Sequence, residues 1–261
     1  IDRTRLGDRK RLLSGLDRIR RNVDATGVLE GTDRFQQQAF DVVLGGVASA
    51  FDLSDEDPRT VERYDTAHLT RFEEWKDKNN KNHYKANSQS LGKLLLLARR
   101  LCENGCNFVT VTTSFVWDMH ADVNNLGMER GMDYVGSPFN HSVSALIEDI
   151  EARGLQDDIL VVCTGEMGRT PKINDRGGRD HWGNLTPLLL YGAGIPRGQV
   201  IGHSTSDGGE PQSTPVTSPN LISTIMHTLV DVPELRLRVD VPRELMSVIG
   251  DHRPIDGLDL D

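Results

Sequence analysis

Twice along this chain a helix-type apolar stripe ends at a glycine and gives way to a short, unbroken apolar run. Residues 91–105, LGKLLLLARRLCENG, lead into NFVTVTT at 107–113, and Val143, Leu146, Ile147 and Ile150 form a stripe that ends near Gly154, ahead of ILVVC at 159–163. Spacing of i, i+3, i+4, i+7 marks one face of a helix, whereas a continuous β-branched run marks a strand covered on both sides. PLLLYG at 187–192 is a third such run. Ser218 as N-cap with Pro219 behind it opens a further helix, with Leu221, Ile222, Ile225, Met226, Leu229 and Val230 as its expected buried stripe. This alternation specifies an α/β fold with a doubly wound, largely parallel sheet.

Strands are few for such a sheet, even with an edge strand expected near Gln199–Ile201. Residues 1–89 read as a helical segment packing on the core, and 90–261 as the α/β part. Leu6, Leu12, Leu13, Leu16 and Ile19 mark one early helix, and residues 33–50 a second. A domain lacking its N-terminal sheet strands would look this way, and a chain that begins with Ile1 reads as processed or as a fragment. Residues 52–66 and 76–84 read as solvated surface, and 114–138 as a long loop. His141 reads as opening the helix that follows.

Thirty basic against 39 acidic residues leave a net charge of −9, which argues against a nucleic-acid-binding surface. No apolar run approaches the roughly 18 residues of a membrane span. Cys102, Cys106 and Cys163 form neither a metal pattern nor a disulfide framework and read as free buried thiols.

Chemistry concentrates in residues 159–183, where the ILVVC strand breaks into a Gly-rich loop holding Glu166, Arg169, Lys172, Arg176, Arg179, Asp180 and His181. In α/β proteins ligands bind outside the carboxyl ends of strands. Four positive charges between Arg169 and Arg179 suit an anionic oxyacid, since guanidinium groups bind phosphate, sulfate or carboxylate in a bidentate manner. The other reading of the more distal ones is a solvated loop face. Upstream, Trp117-Asp118-Met119-His120 places Asp118 and His120 two apart, on one side of an extended segment. That pair suits one cation such as Zn²⁺, Mn²⁺ or Fe, or else a simple Asp–His hydrogen bond. His181 offers a further imidazole ligand, or packs against Trp182. Glu166 is open between ligand and partner of Arg169. Nucleophile-elbow, phosphate-loop and H-E-x-x-H patterns are absent.

The segments LARRLCENGCNFVTV, WDMH, SALIEDIEARGLQDDILVVCTGEMGRTP, GRDHWG and GHSTSDGGEPQSTPVTSPNLISTIMHTL closely resemble the family called domain of unknown function 1501. The family is placed in the alkaline-phosphatase-like superfamily of phosphatases, sulfatases and phosphomutases. The resemblance implies a doubly wound fold with metal at the strands' carboxyl edge, and a chain corresponding to the C-terminal portion of a longer member. It implies Asp118, His120 and His181 as ligands of one metal site, with Glu166 at a strand-end ligand position. Glu166-Met167-Gly168 departs there from the superfamily's Asp-His-Gly or Asp-Asn-Gly, and Met167 cannot serve a hard metal. Members often carry a twin-arginine export signal, which implies an exported parent.

The expected activity is therefore metal-dependent hydrolysis of phosphate or sulfate esters, on an anionic small-molecule or polysaccharide substrate. A divalent ion, Zn²⁺ or Mn²⁺ first and Ca²⁺ or Mg²⁺ after, would sit at Asp118, His120, Glu166 and His181. Arg169 and Arg179 would hold the non-bridging oxygens. The nucleophile is expected outside this chain, with Thr113 and Ser114 as local alternatives. The competing expectation is a catalytically degenerate binding or cell-envelope protein, which Met167 favours.

Overall fold

The computed structural model describes residues 47–70, 79–113, 117–238, 240–250 and 252–258. The helix expected at Leu6–Ile19, most of that expected over 33–50, and Ser114 lie outside them. The chain divides into two compact units, Ile1–Val61 with Leu97–Thr110, and Glu62–Leu96 with Val111–Asp261. Its helices are α1 (Val47–Ala50), α2 (Pro58–Tyr64), α3 (Lys81–Glu103), α4 (Met128–Ala152), α5 (Ser218–Leu229), α6 (Val232–Leu237) and α7 (Arg243–Gly250). Strands are β1 (Val161–Thr164), β2 (Gly168–Arg169), β3 (His181–Trp182) and β4 (Leu188–Tyr191).

The fold is mixed α and β. Strand pairing differs from expectation: β1 pairs antiparallel with β4, and β2 antiparallel with β3. Among the described residues these are the only strand pairs, so the largely parallel sheet is not seen there. NFVTVTT forms no strand; Phe108 stands 81% exposed while Val109 and Val111 are half-buried, so the run is partly covered on one side and pairs with no strand among the described residues. The edge strand near 199–201 is also absent, with Val200 fully in solvent.

Helix ends fall where the glycines predicted. Gly105 (φ 87°) and Gly154 (φ 70°) end α3 and α4 in left-handed conformation. Cys106 N–H donates to Leu101 O at 3.0 Å and Leu155 N–H to Ile150 O at 2.9 Å, which closes Schellman caps. Helix α4 takes in the last eleven residues of the expected loop, 128–138. It carries Pro138 inside it, and His141 sits mid-helix, its Nε2–H donating to Arg63 O at 2.8 Å. Gly131 and Pro138 masked this helix by their low helix propensity, which tertiary packing overrides.

The two segments read as solvated surface contain buried residues. In the first unit Glu56 accepts from Arg99 and Arg100 at 2.8 Å each, and Arg99 is 2% exposed. In the second unit Tyr64 and Tyr84 are buried, and Tyr84 packs with Leu126, Tyr134 and Val135 in a core cluster. On α5 the N-cap is Thr217 rather than Ser218. Its expected stripe is partly outward: Ile222, Leu229 and Val230 are exposed while Ser223 and Thr224 are buried. Ser223 donates to His252 O and Thr224 Oγ1 accepts from Ile255 N–H, so the helix turns its hydroxyls toward the C-terminal segment.

Candidate metal centre

The segment of Asp118, Met119 and His120 delivers its side chains alternately. Met119 is buried, 2% exposed, and lies against α4 at Gly131, where a Cβ would come within 2.5 Å of Met119 Cγ. Asp118 and His120 therefore emerge on the other side, as period-two spacing requires. Tyr84 Oη donates to Asp118 O at 2.8 Å and ties this segment to the core cluster. Ala121 then takes φ 57°, a left-handed conformation costing about 1 kcal/mol for a residue with a Cβ, and ends the extended run. Its N–H donates to Leu126 O at 3.0 Å.

The opposite wall is the β2–β3 ladder, in which Arg169 pairs with His181. Directly opposed residues of an antiparallel pair share a face, and both side chains reach Asp118. Arg169 Nη2 donates to Asp118 Oδ1 at 2.6 Å, and His181 Nε2 lies 3.1 Å from the same oxygen. His120 Nε2 is 3.2 Å from His181 Nε2 and 3.6 Å from Asp118 Oδ1. These three are the described group of His, Cys, Asp and Glu whose ligand atoms converge.

The connecting loop, residues 170–180, is laid directly on the Asp118 segment. Arg179 N–H donates to Met119 O at 2.9 Å, and Asn174 Nδ2 donates to His120 O at 3.2 Å. Asn174 Oδ1 accepts from Gly178 N–H at 2.9 Å and Arg176 N–H at 3.1 Å. Contact at Gly178 is so close that a Cβ there would fall 2.3 Å from His120 O. His120 Nδ1 faces Arg179 O at 2.9 Å and Asp180 Oδ1 at 3.3 Å. Donation from Nδ1–H to that carbonyl leaves the Nε2 lone pair aimed at Asp118 and His181.

This donor set fits a small divalent cation. One carboxylate and two imidazoles are the ligand types of Zn²⁺ and Mn²⁺. Ligands about 2.05 Å from a tetrahedral ion stand about 3.3 Å apart, against the 3.1, 3.2 and 3.6 Å separations found here. Without a cation, the Nε2–H tautomer of His181 can donate to Asp118 Oδ1 or to His120 Nε2 across those distances.

The surroundings set the charge. Burial alone would raise the Asp118 carboxyl, but hydrogen bonds from His181 and Arg169 and the guanidinium charge outweigh it and hold the group below its ordinary value. Arg169 Nη1 is buried and has no acceptor among the described residues. A buried donor left unmade costs about 1–3 kcal/mol, so Arg169 holds its place beside Asp118 against that cost.

Of the residues expected from sequence, Asp118, His120, His181 and Arg169 come together. Glu166 is exposed in the loop after β1 and is not among the converging donors. Arg179 acts through its main chain, while its Nη1 donates to Thr170 O at 2.8 Å. Sequence reasoning gave no role to Tyr84, Asn174 and Asp180, which fix the segment from behind, beneath and beside. The only advance sign of Asn174 was its place in the turn-forming stretch NDRGG.

The model of the family described as protein of unknown function, DUF1501, matches residues 1–256. No curated protein and no solved structure matches the chain.

Proposed function

The chain belongs to the DUF1501 family, and from that premise we propose that it is a metal-dependent hydrolase of phosphate or sulfate esters. The observation that supports this best is the meeting of Asp118, His120 and His181 within 4.8 Å of one another, beside the Arg169 guanidinium. A divalent ion there supplies a Lewis acid for the ester oxygen. Asp118 contributes the negative charge that retains the ion. His120, held at Nδ1 by the Arg179 carbonyl, presents Nε2. His181, about half exposed, lies on the solvent side. Arg169 neutralises part of Asp118, and its charge favours a non-bridging oxygen beside the ion. Alkaline-phosphatase-like architecture, correspondence to the C-terminal portion of a longer domain, and export of the parent belong to the same proposal; they rest on the motif resemblance.

The test is elemental analysis after dialysis against Zn²⁺ or Mn²⁺, with turnover of aryl phosphate and aryl sulfate esters. Stoichiometric metal, lost together with turnover in His181→Ala, is the expected result. Wild-type protein that retains no ion overturns the proposal.

A second reading is a catalytically degenerate binding or cell-envelope protein. One observation favours it: Arg169, 2.6 Å from Asp118 Oδ1, already gives that carboxylate its counter-charge. Bound metal without turnover of either ester class, unchanged in His181→Ala, would select this reading.

A further inference from the structure

Of the three converging donors His120 is the least exposed, at 17%. Its outer nitrogen meets two acceptors, the Arg179 carbonyl at 2.9 Å and the Asp180 carboxylate at 3.3 Å. Asp180 is pinned on both main-chain sides by Thr170: its O accepts from Thr170 N–H at 2.9 Å, and its N–H donates to Thr170 Oγ1 at 3.1 Å. Asn174 Nδ2, which donates to His120 O, stands 3.5 Å from Asp180 Oδ1. The Asp180 carboxylate thus stands as an anionic neighbour of the Nδ1 whose proton the Arg179 carbonyl accepts, with the Asn174 carboxamide against it, and Asp180 is 55% exposed.

We propose that Asp180 is a positioning residue: its carboxylate, set beside the Nδ1–H of His120, strengthens the hold of Asp118, His120 and His181 on a divalent cation. This rests on the metal-centre reading above. The carbonyl of Arg179 alone can select the tautomer; the carboxylate adds full negative charge, which strengthens the hydrogen bond to Nδ1–H and the electron donation from Nε2. Asp180 touches neither the ion nor the substrate. Its removal therefore lowers affinity without abolishing the site.

The experiment is a Zn²⁺ titration of wild-type and Asp180→Asn protein against a chromophoric chelator, with thermal unfolding of both in metal-free buffer. Asp180→Asn keeps the side chain's size and the main-chain bonds to Thr170. The expected result is a Kd about 10–100-fold higher with the metal-free unfolding temperature unchanged. Equal Kd values in the two proteins overturn the proposal while leaving the metal centre standing. No Zn²⁺ uptake by wild type overturns both. Independently of any variant, ring ¹⁵N–¹H correlation spectra of metal-free wild type should show His120 protonated at Nδ1, and a proton at Nε2 instead overturns the proposal.

Discussion

Arg169 and His181 face each other across the β2–β3 ladder, and both end on Oδ1 of Asp118, at 2.6 and 3.1 Å. That oxygen therefore receives a fixed positive charge from one strand and an imidazole from the other. The register makes this obligatory. Slipping the pair by one residue would turn one of the two side chains to the opposite face. Trp182, next to His181, helps hold the register by donating its indole N–H to Gly209 O at 2.7 Å.

Asp118→Ala leaves the Arg169 guanidinium without its acceptor, while Nη1 already lacks one among the described residues. We expect a loss of about 1–3 kcal/mol in metal-free protein, measured by urea denaturation in chelator, as well as loss of metal uptake. A stability loss below about 0.5 kcal/mol would mark the pair as a solvent-screened contact and remove the electrostatic argument for the site.

Of two glycines near β3, one should be sensitive to an added Cβ and the other indifferent. Gly178→Ala puts a Cβ 2.2 Å from His120 C and 2.6 Å from Met119 O, atoms of backbone that cannot turn aside. The loop and the Asp118 segment must part, and we expect a cost of about 2 kcal/mol with metal affinity reduced. Gly183→Ala meets nothing within 4 Å and should be neutral in both assays. If Gly178→Ala binds Zn²⁺ as wild type does, the contact between loop and segment does not hold His120 in place.

The site was legible because its chemistry sits in short motifs. Period-two spacing placed Asp118 and His120 on one side, and Met119 turned inward as that spacing demands. What brings His181 to them was not legible. A two-residue ladder carries no periodicity, and the hub residue Asn174 looks like any loop asparagine. For the fold, Gly105 and Gly154 marked helix ends correctly because only the local left-handed conformation was at stake. Strand pairing depends on what covers each strand, so the apolar runs at 161–164 and 188–191 were found as strands but not as antiparallel neighbours. Burial of Glu56 escaped notice because its partners Arg99 and Arg100 lie more than 40 residues away.

Burial pushes the thiols of Cys102 and Cys163 up, with the neighbouring Cys106 and Glu103 adding to the effect at Cys102. Only the thiolate alkylates, so both should react slowly with iodoacetamide near about pH 8, below the ordinary thiol value of about 8.5, and speed up as pH rises. Peptide mass spectrometry of a labelling time course reads this. Rapid labelling of Cys163 at about pH 8 would show that β1 opens to solvent.

Tyr84 gives the sharpest pH test because one hydroxyl joins the core to the site. Burial, reinforced by the charges of Asp118 and Asp122, pushes its phenol up to about 12. In an unfolded chain a tyrosine titrates near about 10. Between those values the folded protein keeps a proton that the unfolded chain has released, so stability falls as pH rises through the window. Below it the contribution is whole. Tyr84→Phe removes the donor to Asp118 O and should cost about 1 kcal/mol at neutral pH. Since phenylalanine does not titrate, the gap between the two proteins should close and then change sign between the two values. Thermal unfolding of both proteins across that range measures the gap directly. A gap that stays constant with pH would mean the Tyr84 hydroxyl is open to water, and the Asp118 segment would then need another anchor.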